Sequence, residues 1–182
     1  MRSFSSVQRF ALGGMFVAPI MCVVAIGAPH WLVTPPNNFL AGQMGIFMWC
    51  VDVFGEKGCE MLRLGVSSSP LDSVVEPASI CIALGVICGL ISFWLAMCAP
   101  GIRLWALGIV CFIAALYGAK AAVIFAKNFG KVVPARILVS LNLMHYGWAF
   151  YLYCLGVGLL AVTSVLAFFS APDEYSEHHE YR

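Results

Sequence analysis

Charge is nearly absent from four long stretches of this 182-residue chain, and no other feature constrains its fold as strongly. No Asp, Glu, Lys or Arg occurs in 10–51, 77–102 or 137–172. Residues 104–119 are equally free of charge, and the apolar run continues past Lys120 to Ala126. A crossing helix needs about 20 apolar residues. Lipid offers backbone amides no partner, so each crossing must satisfy them within itself. The gaps therefore predict transmembrane helices at about 10–28, 78–98, 104–125 and 147–169.

Composition agrees. The chain is 62% hydrophobic and 10% charged, against about half and a quarter for soluble domains. Ordinary soluble enzymes and disordered tails are excluded. Ten Lys and Arg against nine Asp and Glu give a net charge of +1, too little basic surface for a nucleic-acid partner. Arg2 and Arg9 give the first run a basic start. Its core exceeds the roughly 7–15 apolar residues of a signal sequence, so an uncleaved span is expected, with Pro19 tolerated inside it.

The spans predict one four-span membrane domain over 1–182. A tight loop at 99–103 joins spans two and three. A long loop at about 29–77 and a shorter one at about 127–146 share one face. Both termini, including the tail 170–182, lie on the other, and Ser67-Ser68-Ser69-Pro70 reads as a flexible break. Basic residues do not orient the chain: Arg2, Arg9, Arg103 and Arg182 flank one side, and Lys57, Arg63, Lys127, Lys131 and Arg136 the other.

Cysteines bear on orientation. Of eight, six fall in or at the ends of spans, where cysteine behaves as a small hydrophobe. Cys98, at the end of span two, is a candidate for reversible acylation. Cys50 and Cys59 are the only pair in the long loop. Two thiolates fall short of the four ligands of a structural zinc site. A disulfide requires an oxidising compartment, which would place the long loop outside the cell and the termini in the cytosol. Ile46 to Phe54 is rich in β-formers, and Gly55-Glu56-Lys57-Gly58 reads as turn material. A register pairing Cys50 with Cys59 sets Asp52 opposite Lys57 and centres the turn on Phe54-Gly55.

Trp31, then Gly45-Ile46-Phe47-Met48-Trp49-Cys50, then Cys59, resemble the first-loop signature of the claudin and peripheral myelin protein superfamily: Trp, Gly-Leu-Trp-x-x-Cys, Cys. Gly45 and Cys50 match directly; Ile46 and Phe47 are conservative replacements. Tyr146-Gly147-Trp148-Ala149-Phe150-Tyr151 is similar to the start of the last helix in these families. Cys98-Ala99-Pro100-Gly101 and the short acidic tail resemble the desmosome-associated PERP-like subgroup. The resemblance implies a left-handed four-helix transmembrane bundle carrying a small extracellular antiparallel β-sheet. Four strands would come from the first loop and a fifth from the segment after span three. Two positions depart from claudins: Glu76 and Pro77 stand where claudins carry an Arg. The chain ends Glu180-Tyr181-Arg182 in place of a hydrophobic PDZ ligand, which argues against direct docking to PDZ scaffolds.

Other residues carry weaker signals. Trp31 reads as an anchor between loop and bundle or as an interfacial belt residue. Phe47 and Trp49 alternate with Ile46 and Met48, so one set faces outward as a candidate partner surface. Gly85 and Gly89, and Ala114, Gly118 and Ala122, form small-x-x-x-small patterns suited to close helix packing. Lys120 is expected to snorkel to the interface. His178-His179 reads as part of a solvated tail. No catalytic motif, metal site or cofactor site is expected.

The expected function is that of a plasma-membrane protein of cell junctions, such as tight junctions. It would contribute adhesion, junction structure or a paracellular barrier through homotypic or heterotypic association, in cis and in trans. The alternative is an auxiliary subunit of an ion channel or another membrane protein.

Overall fold

A computed structural model of the protein describes residues 6–34, 40–53, 56–61, 72–98, 104–128 and 145–169. Four long helices dominate: α1 (Ser6–Gly27), α2 (Asp72–Cys98), α3 (Leu104–Asn128) and α4 (Trp148–Phe169). All four are long and apolar enough to cross a membrane. A small antiparallel sheet lies between α1 and α2 in sequence. Its three main strands are β2 (Leu40–Met44), β3 (Met48–Val53) and β4 (Glu56–Met61). Two-residue strands β1 (Leu32–Val33) and β5 (His145–Tyr146) extend it, in the order β4-β3-β2-β1-β5.

α1 starts four residues before position 10 and α3 runs three past 125, and two further boundaries differ from the sequence expectation. α2 begins at Asp72, six residues before position 78, and takes in Glu76 and Pro77. A charge-free gap marks where hydrocarbon begins, whereas a helix continues into the polar zone while its amides stay paired. Glu56, Lys57 and Gly58, read as turn material, belong to β4. The disulfide register carries pairing up to Val53 opposite Glu56, leaving only 54–55 to turn. The expected turn centre, Phe54-Gly55, and the 67–70 break lie outside the described residues, as do the loop 99–103 and the tail.

Each helix packs on two neighbours: α1 on α2 and α4, and α3 on the same two. Lipid is as apolar as a leucine side chain, so close approach must come from small residues. Gly85 and Gly89 of α2 face Pro19 of α1; a Cβ at either would stand 3.2 and 3.3 Å from that ring. Pro19 deprives the Met15 carbonyl of its helical donor, and Gly89 lies against that oxygen. Gly118 of α3 admits the Cys81 sulfur and Val157, and Gly156 of α4 admits the Cys22 sulfur. Ala114 is buried, and Ala122 packs half-buried against the same core. These small residues thus serve contacts within the bundle.

Three buried serine and threonine side chains inside the spans bond to their own helix, as lipid demands. Ser92 donates to the Gly89 carbonyl, Thr163 to Leu159 and Leu160, and Ser164 to Ala161.

Candidate interaction platform: the disulfide-closed sheet and its anchor

The joint between sheet and bundle is Trp31. α1 ends at Gly27, and Pro29 follows two residues on. In a helix the Ala25 carbonyl would accept from residue 29, but proline has no N–H to give. The Trp31 indole Nε1 donates to that carbonyl at 2.6 Å. Its backbone completes the sheet: its N–H donates to the Met44 carbonyl at 3.0 Å, and its C=O accepts from Gly147 at 2.9 Å. Its ring meets Phe125 of α3 edge-on at 4.8 Å, and Phe150 and Tyr153 of α4 at 5.8 and 5.2 Å. One fully buried side chain therefore touches α1, α3 and α4. Such aromatic pairs each add about 0.5–1.5 kcal/mol beyond burial. Of the two readings of Trp31, the anchor is the one observed.

Leu32, Met44 and Ile46 are also fully buried and share one apolar core with the bundle. The sheet thus has no separate interior. Gly45 and Gly147 permit this approach. A Cβ on Gly45 would stand 2.8 Å from the Ala28 carbonyl, and one on Gly147 would collide with that of His30. Thr34 closes the edge of β1: its hydroxyl accepts from the Gly42 N–H at 2.6 Å.

Cys50 of β3 and Cys59 of β4 are directly opposed and bonded to each other, with Cα atoms 4.1 Å apart. Asp52 faces Lys57 in the same ladder.

Phe47 is 38% exposed and Ile46 is buried, so Phe47 is on the outward set. Its place in the fold follows from Gly45. The β2–β3 turn carrying it packs, through Gly45, on Ala28 and Pro29 at the end of α1. Phe47 is therefore at the bundle end of the sheet. The side chains of Trp49 and Cys98 lie outside the described residues, as do Arg63, Lys131, Arg136 and the PDZ-relevant C-terminus.

The free cysteines Cys22, Cys81, Cys88 and Cys111 are buried, and Cys154 is half-buried. Sequence inspection missed that four of them pair across helices, Cys22 with Cys81 and Cys88 with Cys111. It also missed the aromatic cage of Phe125, Phe150 and Tyr153, because its members come from two helices distant in sequence. The only sequence signal for the indole cap is Pro29, four residues after Ala25. Among the described residues no group of three or more His, Cys, Asp or Glu is placed to hold a metal ion. No protein-family model matches the chain, and no curated protein matches it.

Proposed function

We propose that the chain is a divergent member of the claudin and peripheral myelin protein superfamily, acting in cell–cell contact at the plasma membrane. The observation that carries this reading is the disulfide-closed hairpin held rigidly on the bundle through Trp31. A recognition surface gains affinity when its shape is fixed before binding. The sheet meets that condition twice, by a covalent link across β3–β4 and by a buried indole at its root. With the long loop outside the cell, the sheet faces the intercellular space and both termini are cytosolic. Far strand ends are then placed for contact between cells. Phe47, beside the bilayer, is placed for contact between neighbours in one membrane. The combined result is adhesion, junction structure or control of paracellular permeability.

The test is expression in epithelial cells that lack junction strands, read by freeze-fracture imaging and transepithelial resistance. Strands at cell borders and altered resistance, both lost in Cys50→Ser/Cys59→Ser, are expected. Uniform surface staining with unchanged resistance would overturn the reading. A stoichiometric channel partner on purification would replace it with the auxiliary-subunit role.

A further inference from the structure

α3 carries two exposed cations on one lipid-facing stripe. Lys120 and Lys127 are seven residues apart, nearly two full turns, and so share a face. Ile109, Ile113, Leu116 and Val123 lie on that face, and all are exposed. Below the lysines the stripe is purely apolar.

Depth follows from packing against α4. Gly118 meets Val157, and Phe125 stacks on Phe150 at 5.7 Å. Continuing that antiparallel pairing puts Lys127 level with Trp148 and Lys120 level with Leu155, about 10 Å deeper. Trp148 and Tyr151 are 52% and 61% exposed, the position of an interfacial aromatic belt. Lys127 thus stands at the belt and Lys120 beneath it, inside the hydrocarbon edge. An ammonium there needs an anion or must snorkel toward one. The one described acidic side chain at this depth is Glu76. Cys81 packs beside Gly118, which sets Glu76 of α2 level with Val123 of α3. Among the described residues no ion pair joins Glu76 to either lysine.

We propose that this stripe binds the phosphate of one phospholipid of the sheet-side leaflet. The headgroup phosphate sits between the ammonium groups of Lys120 and Lys127, and the acyl chains lie along Leu116, Ile113 and Ile109. Charge above and hydrocarbon below match the two ends of such a lipid and of no soluble anion. The inference rests on the helices spanning a bilayer, not on the contact role, and survives if that role fails.

Native mass spectrometry of the full chain in detergent, titrated with phosphatidylglycerol, tests it. One lipid should be retained by the wild-type protein. Lys120→Gln and Lys127→Gln should each weaken retention about fivefold, the effect of about 1 kcal/mol per basic residue near a membrane surface. Lys120→Arg/Lys127→Arg should retain it. Both positions face lipid, so the Cys50–Cys59 bond should persist in every variant. Inorganic phosphate should not compete. Equal retention by wild type and Lys120→Gln/Lys127→Gln would overturn the proposal, as would displacement by inorganic phosphate. So would Glu76→Gln weakening retention as much as the lysine variants. Loss of a co-purifying membrane protein with lipid retention unchanged would instead assign the stripe to a partner helix.

Discussion

The sheet and the bundle are held together by different physics. The bundle contains many small residues at its contacts: Gly85 and Gly89 against Pro19, and Gly118 against Val157. Its stability is spread over many close approaches. The sheet has few residues and no interior of its own, because Leu32, Met44 and Ile46 are buried in the core of the bundle. Its order is concentrated in one covalent bond and one indole. Damage to the bundle should therefore be graded and local. Damage to the sheet should come from a few positions and be nearly complete.

Trp31→Ala tests the joint and should have the largest effect. It removes three aromatic contacts and leaves the Ala25 carbonyl without its donor. Loss of a buried Trp costs about 3–5 kcal/mol. Hydrogen exchange should rise both in β1–β4 and in the last turn of α1. Protection unchanged in α1 would mean that the indole serves the sheet alone.

Cys50→Ser/Cys59→Ser should separate the two regions. Removing the link should cost the hairpin about 2–4 kcal/mol. Exchange should rise across 48–61 while the helices stay protected; equal loosening of α1–α4 would erase the distinction. Gly118→Ala is the mirror test. Its Cβ would stand 2.6 Å from Val157 and 2.8 Å from the Cys81 sulfur, so a neighbour must shift, at about 1–3 kcal/mol for overpacking. Thermal unfolding in detergent should fall modestly, with the Cys50–Cys59 bond intact and β3–β4 exchange unchanged.

Legibility in the sequence divides along the same line. The four spans could be read because lipid penalises charge over most of their length, and that leaves a long, plain signal. The hairpin register could be read because two cysteines fixed it: Asp52 does face Lys57. The true start of α2 could not, since Asp72, Ser73 and Glu76 suit a helix end and a loop equally well. Nor could the setting of Trp31. Its cage joins Phe125 to Phe150 and Tyr153, and no local spacing encodes contacts between separate helices. Phe47 was legible as outward-facing, but its closeness to the bundle depends on Gly45 packing against Ala28 and Pro29.

Thiol mapping on intact cells tests the central claim most directly. A membrane-impermeant maleimide is applied before and after mild reduction, and labelled peptides are identified by mass. Cys50 and Cys59 should be silent before reduction and both labelled from outside after it. Cys22, Cys81, Cys88 and Cys111 should stay silent throughout, since all four are buried in the bundle. Free thiols at 50 and 59 before reduction, or labelling only after the membrane is opened, would contradict a covalently closed platform on the outer face of the cell.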